Sequence, residues 1–158
     1  MVPADWLGDA DRIASLGLRL ASAGVPADRL ALYRRTLHPE ILCRVTAWSP
    51  GRPIEIFDRE HGLDLSTGFP GSPLDRAIAQ GEPGRLSGDE LERSTGHWVD
   101  PLRSLGLYIL LLVPIRPAMA LAVGSRSRTG FSDGNKMTID RLVSGLAKSA
   151  KSQKSFSQ

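Results

Sequence analysis

The sequence has little cysteine, few aromatic residues and no long apolar run, and each shortage removes a class of protein. Its single cysteine, Cys43, cannot form a disulfide within the chain, so we expect a reducing compartment such as the cytoplasm. The longest apolar run, Leu107–Ile115, falls far short of the roughly 20 residues that cross a bilayer, so no membrane association is expected. Asp5, Asp9 and Asp11 interrupt the N-terminal stretch, which therefore does not have the pattern of a signal peptide.

Motifs that carry catalysis are also missing. The histidines His38, His61 and His97 do not have the spacing of a paired metal site. The chain has no nucleophile elbow, no phosphate-binding loop and no His-Glu-x-x-His motif. We expect no metal and no enzymatic activity from this chain, and a small histidine-dependent hydrolase is the weakest alternative that stays open.

The charge is basic overall but unevenly distributed. The formal net charge is +3, and the segment from Arg126 onward contributes +5, so the rest of the chain is −2. Aromatic residues make up only 6% of the sequence, and none alternates with the C-terminal cations as single-strand nucleic-acid binders require. Nucleic acid is therefore not expected as a partner.

The length of 158 residues suits one domain, with a helix predicted near each end. In residues 4–23, Ile13, Leu16 and Leu20 lie on one side at helical spacing. Ser132 is a good N-cap for a second amphipathic helix over residues 133–150. We place the domain at residues 1–147 and predict a disordered Lys/Ser-rich tail at 148–158, because that segment is polar and repetitive.

Five strands are predicted between these helices. Turn-forming prolines and glycines join the first three into an antiparallel meander, and the last two are apolar on both faces, which predicts cover on both sides. The predicted strands are Leu30–Leu37, Ile41–Ser49, Ile54–Asp58, residues 107–115 and residues 118–125.

The segment between the third strand and the final pair, residues 60–105, is here called the crossing. It is rich in Gly and Pro, and Ser72-Pro73 predicts the start of a short helix through Ala79. A second helical piece is predicted at residues 89–93 or 97–105. Long connections of this kind tend to form functional walls. The predicted fold is a single α/β (α+β) domain. Its antiparallel sheet has five to six strands, with the terminal helices on one face and the crossing on the other.

Several short motifs follow the order found in one family. The stretch Gly130–Asp133 after the last strand is similar to the opening of the final helix of a GAF domain, the sensor fold related to PAS. Thr36–Pro39, Trp48 on the next strand and Ser72–Leu74 resemble the GAF-like region N-terminal to the catalytic domain of bacterial class III adenylate cyclases. The resemblance spans roughly residues 5–147, and no cyclase catalytic domain follows in this chain.

The resemblance implies a cytoplasmic bacterial signal-transduction module that is not catalytic by itself. It would bind a small molecule, dimerise, or do both, and so control a nucleotide-cyclase-type or other signalling output. The expected homodimer forms through the terminal helices, where Leu7 and Leu18 would extend the contact. A ligand-free module for dimerisation or protein interaction is the first alternative. Nothing around Cys43 resembles a phytochrome motif, so no covalent chromophore is expected.

The candidate ligand residues lie on one side of the second strand and around the crossing. Arg44, Thr46 and Trp48 alternate with Cys43 and its neighbours. If that side faces the crossing, Arg44 would meet an anion and Trp48 would stack on a flat ring. Otherwise Trp48 fills core and the stem of Arg44 packs at the rim. The predicted ligand site comprises Arg44, Thr46, Trp48, His97, Trp98 and Tyr108.

Overall fold

The structure is a computed structural model that describes residues 4–35, 41–60, 71–94, 99–115 and 118–156. The strands of this part are β1 (Arg29–Arg35), β2 (Ile41–Trp48), β3 (Glu55–Glu60), β4 (Gly84–Ser87), β5 (Ile109–Ile115) and β6 (Met119–Ser125). Its helices are α1 (Ala4–Ser22), α2 (Pro73–Gln80), α3 (Gly88–Arg93), α4 (Asp100–Arg103) and α5 (Asp133–Phe156). No helix in these ranges combines the length and apolar character needed to span a bilayer.

The strands form one six-stranded sheet in the order β3-β2-β1-β6-β5-β4. Every neighbouring pair is antiparallel, which confirms the predicted sheet. Strand β1 lies near the middle, where it pairs with β2 on one side and β6 on the other. The meander β1-β2-β3 and the hairpin β5-β6 therefore meet along β1, and the first and last parts of the chain build one sheet.

The terminal helices α1 and α5 cover the same face of the sheet, as predicted. Apolar residues at helical spacing on both helices belong to one buried cluster with residues of β1 and β6. The cluster includes Ile13, Leu16, Leu20, Leu30, Leu32, Leu121, Val123, Ile139 and Val143. The alternation of side chains along β1 puts its intervening residues on the opposite face.

The crossing covers that opposite face, which also confirms the expectation. Its helices contribute buried residues to a second cluster, together with residues of β1, β2, β5 and β6. This cluster includes Ala31, Tyr33, Val45, Leu74, Ile78, Leu91, Leu102, Leu110, Leu112 and Ala122. Strand β5 is apolar on both sides because it contributes to both clusters.

Side-chain caps set the starts of three helices, two of them predicted. Ser72 Oγ accepts the backbone N–H of Asp75 at 3.2 Å ahead of α2, and Ser132 Oγ accepts that of Asn135 at 3.0 Å ahead of α5. Ser87 forms a reciprocal capping box with Glu90 at α3. The hydrogen bond from the Ser87 backbone, and then the one with its side chain, hold the pKa of Glu90 below its ordinary 4.5.

Two features differ from the predictions. Strand β4 was not predicted, because its four residues show no alternating pattern; it forms where the edge of β5 offers backbone partners. Helix α5 continues to Phe156, beyond the predicted helix end at residue 150, and the division into a domain at 1–147 and a tail at 148–158 stays a prediction. Lysine and alanine favour helices, and extending an existing helix costs far less than starting one.

Candidate ligand site

The β2 residues of the predicted ligand site face the terminal helices and not the crossing. Thr46 lies opposite Leu32 and Trp48 lies opposite Leu30 in the β1–β2 register, and directly paired residues share a face of the sheet. Leu30 and Leu32 are buried in the cluster under α1 and α5. Arg44, two residues before Thr46, has the same orientation. These three residues would meet a ligand at the crossing only if their side of β2 faced the crossing, and it does not.

Trp48 packs against α1. An alanine Cβ built at Gly17 would lie 2.5 Å from Cζ2 and 2.7 Å from Cδ2 of the indole ring, which means that the ring occupies the space beside the Gly17 backbone. The ring is partly buried against the cluster under the terminal helices. The structure thus agrees with the alternative interpretation, in which Trp48 fills core.

A charged cluster joins the same face of the sheet to α1. Asp9 is only 2% exposed, and it accepts hydrogen bonds from Arg34 Nε at 2.7 Å and Arg34 Nη2 at 2.8 Å. Arg12 Nη1 adds a third hydrogen bond at 3.1 Å. Arg34 lies opposite Arg44 in the register, so Arg44 is beside this cluster on the terminal-helix face. The bidentate geometry holds α1 to the central strand.

Tyr108 lies on a different part of the molecule from Arg44. Its side chain is 50% exposed, and its backbone N–H donates to Ser125 O while its carbonyl accepts from Gly88 N, both at 2.7 Å. It borders a small groove shared with α3 and α4. The other two predicted site residues, His97 and Trp98, lie outside the described residues. Among the described members of the predicted set, Tyr108 therefore lies apart from the three β2 residues.

A cavity lies between the sheet and the crossing, at the end of the sheet where β2 turns into β3. It holds about 560 Å³, and we call it the crossing-side cavity. Its apolar lining comes from β2, β3, the turn between them and the segment after α4: Ala47, Pro50, Pro53, Phe57 and Leu105. Ala47, Phe57 and Leu105 belong to the crossing-side core, which fixes the face on which the cavity opens.

Two serines and five charged residues form the rest of the wall, namely Ser49, Ser104, Asp28, Arg29, Arg52, Glu55 and Arg126. Asp28 Oδ2 accepts the backbone N–H of Arg126 at 2.6 Å, which ties the end of β6 to the start of β1. Arg126 Nε donates to Leu105 O at 2.7 Å, so one side chain also holds the segment after α4 in place. Arg29 Nε is buried and has no hydrogen-bond partner among the described residues.

The predicted β2 residues and the crossing-side cavity lie on opposite sides of β2. Alternation correctly separated Arg44, Thr46 and Trp48 from Cys43, Val45 and Ala47, but it carries no information on which side faces the crossing. A signal was present in the two prolines of the β2–β3 turn and in Phe57, which lies two residues after Glu55 and so shares its side of β3.

The described ranges contain no candidate metal site. No three His, Cys, Asp or Glu side chains come together there as a metal site. All three histidines lie outside the described residues, as does the side chain of Cys43. The hydrolase alternative and the expectation of no covalent chromophore therefore stay predictions.

The fold is that of GAF domains. No protein-family model matches the sequence, and no curated protein matches it. The GAF domain of a two-component sensor histidine kinase from Bacillus halodurans aligns over 100% of both chains with a TM-score of 0.65 and 17% identity. A red/green cyanobacteriochrome in its red light-absorbing state aligns over 95% of this chain and 99% of its own, with a TM-score of 0.64 and 15% identity. The predicted GAF-like fold is confirmed, and the adenylate cyclase resemblance stays a prediction.

Proposed function

We propose that this chain is a sensory or regulatory module that binds a small molecule in the crossing-side cavity. The observation that carries the proposal is a GAF fold over the whole chain with a cavity of about 560 Å³ between its sheet and the crossing. Ligand sites are typically concave, about 300–1,000 Å³ in volume, and mostly apolar with a few placed polar groups. The crossing-side cavity has such a volume and an apolar floor of core residues, and its lining is more polar than is typical of these sites.

The proposed output passes through the terminal helices. Arg126 contacts the cavity wall through Leu105 and stands in the segment that joins β6 to α5. A ligand that binds one arrangement of this segment better than another shifts the population of α5 positions. The proposed receiver is a nucleotide-cyclase-type catalytic domain or another signalling unit, and the support for a cyclase is the sequence resemblance alone.

A surface on the terminal helices supports dimerisation as a second candidate function. Leu18 is 67% exposed on α1, and it borders a shallow groove with Leu142 of α5. An apolar side chain exposed between two helices is available to a second copy of the chain, and twofold pairing is the commonest oligomer. This homodimer would serve the sensor, and it would be the whole function if the cavity takes no ligand.

Light scattering tests the dimer. Leu18→Glu should shift the protein toward the monomer, because a charge would be buried in the contact. Met137→Glu is the matched control, since Met137 is 73% exposed on α5 and does not line the groove. A wild-type protein that is monomeric at all accessible concentrations, or a dimer unaffected by Leu18→Glu, would contradict the proposed surface.

Native mass spectrometry and thermal shift test ligand binding. Freshly purified protein should carry a retained small molecule, or a metabolite collection should contain a compound that raises the Tm. At 100 times its Kd such a compound adds about 2.7 kcal/mol, or very roughly 5–10 °C in Tm for a chain of this size.

A cavity variant makes the ligand test specific. Ser104→Trp, on the cavity wall, should abolish the shift, and Ser144→Trp, exposed on α5, should leave it unchanged. A shift that survives Ser104→Trp would place the ligand elsewhere. A protein that binds nothing in such a collection would leave dimerisation as the function.

A further inference from the structure

The polar wall of the crossing-side cavity holds more hydrogen-bond donors than acceptors. Three of its side chains are arginines, each with five N–H donors and no acceptor. Two are carboxylates, and Asp28 already accepts the backbone N–H of Arg126 at 2.6 Å. Arg126 in turn uses Nε on Leu105 O at 2.7 Å, which leaves its remaining four donors for another acceptor.

Arg29 shows the same excess of donors. It lies at the start of β1 on the crossing side, where it lines the cavity. Its Nε is buried without a hydrogen-bond partner among the described residues. A buried donor without a partner costs free energy, and the cost is larger for a charged group. An acceptor that enters the cavity and engages this guanidinium would offset that cost.

Apolar residues line the cavity beside these charges, and Glu55, which pairs with Ala47 in the β2–β3 register, lies among them. Ala47, Phe57 and Leu105 belong to the crossing-side core, and the aromatic ring of Phe57 offers an apolar surface to a ligand body. Guanidinium groups recognise planar anions such as carboxylates and phosphates through paired hydrogen bonds. A ligand with an anionic head and an apolar body offers an acceptor to the arginines and an apolar surface to Ala47, Phe57 and Leu105.

We infer that the crossing-side cavity takes a small organic anion, a carboxylate or phosphate on an apolar or aromatic body, whose charged group binds Arg29, Arg52 and Arg126. This inference rests on the proposed function and narrows its ligand class. Because Arg126 also donates to the Leu105 carbonyl, an anion bound to this guanidinium acts on the segment that leads to α5.

Benzoate, phenyl phosphate and benzamide are the probes that test the inference. Benzoate carries a carboxylate on a benzene ring, and phenyl phosphate carries a phosphate on a benzene ring. Benzamide is the uncharged counterpart of benzoate. Binding is followed by two-dimensional ¹H–¹⁵N NMR of the full chain, with the arginine Nε–H signals included. Benzoate, phenyl phosphate or both should shift the Nε–H signals of Arg29 and Arg126 and the amides of Ala47 and Leu105. Benzamide should bind at least roughly tenfold more weakly, because charge-assisted hydrogen bonds are the stronger ones.

Two variants check the role of the arginines. Arg29→Gln and Arg52→Gln should each weaken binding of the anionic probe by roughly tenfold, since each removes a charged donor. Arg52 is exposed in a turn, so its replacement leaves the core intact, and circular dichroism confirms folding of both variants. Arg128→Gln is the control: Arg128 is exposed nearby and does not line the cavity, so its loss should change affinity less than twofold by screened long-range charge alone.

The outcomes separate this inference from the proposed function. Equal binding of benzamide and benzoate at the cavity residues would overturn the anion inference and leave the sensor proposal in place. Shifts that appear only outside the cavity, equal losses in Arg128→Gln and Arg52→Gln, or no shift with any probe would also overturn the inference. The sensor proposal itself fails only if the metabolite collection yields no cavity ligand of any charge.

Discussion

Replacing Gly17 with alanine should destabilise the protein, although alanine is the better helix former. In an exposed helix the change would stabilise by about 1 kcal/mol. At Gly17 the new Cβ would lie 2.5 Å from Cζ2 and 2.7 Å from Cδ2 of Trp48. The indole would have to retreat by roughly 1 Å to restore an ordinary contact, and overpacking of this kind costs about 1–3 kcal/mol. Because the ring is rigid and lies against the sheet, we take the upper half of that range and expect a net loss of about 1–2 kcal/mol.

Chemical and thermal unfolding measure this loss, and Gly145 provides the control. A loss of 1–2 kcal/mol corresponds to a fall in Tm of roughly 2–8 °C for a chain of this length. Gly145 lies in α5 with nothing within 4 Å of its added Cβ, so Gly145→Ala should raise stability by up to about 1 kcal/mol. If Gly17→Ala is as stable as Gly145→Ala, the close packing of α1 on Trp48 is refuted.

A double-mutant cycle with Trp48→Leu assigns the loss to the ring. Trp48→Leu alone should destabilise, because it removes a partly buried aromatic side chain. In that background Gly17→Ala should cost little or become favourable, which gives a coupling energy of about 1 kcal/mol or more. Strict additivity of the two changes would show that the loss arises from some other contact of the helix.

Two further predictions concern charged groups. Asp9→Asn should lower the free energy of unfolding, measured in urea, by about 2–3 kcal/mol. This is less than the roughly 3–5 kcal/mol for breaking a fully buried pair, because Arg34 is partly exposed. Asp11→Asn, exposed on the same helix, should change stability by less than about 0.5 kcal/mol, and equal effects of the two variants would contradict the role of Asp9. The Glu90 carboxyl should titrate below 4.5 in an NMR pH series. Because folding lowers its pKa, the stabilisation that it gives to α3 is fully present above the pKa of the unfolded state. That stabilisation is lost as the pH falls through the pKa of the folded state. Ser87→Ala should move that pKa back toward 4.5, and a midpoint at or above 4.5 in the wild type would contradict the capping box.

Most of the architecture could be predicted because its signals are local. Helical spacing of Ile13, Leu16 and Leu20 identified α1, and the serine caps at Ser72 and Ser132 placed the starts of α2 and α5. A run apolar on both faces identified β5 as a strand covered on both sides. The short strand β4 was missed because pairing with β5, and not its own residues, makes it a strand.

The candidate site could not be predicted to the same degree. The predicted ligand site contains both Tyr108 and Arg44. The sheet places them apart, because Tyr108 directly precedes β5, and β6 and β1 separate β5 from β2. Arg126 contacts both Asp28 and Leu105, and the basic turn in which it lies does not indicate either contact. These contact residues are 98 and 21 positions away in the chain, and a local sequence pattern cannot predict contacts over such separations.

The sequence by itself determined the order and type of the main elements, since caps, turns and hydrophobic periodicity act over a few residues. It also determined that Arg44, Thr46 and Trp48 share one side of their strand. Only the tertiary structure decided that this side lies under the terminal helices and that Ala47 faces the cavity. The physical reason is that a strand alternates identically whichever way it is turned, and the packing of distant helices on each face chooses between the two.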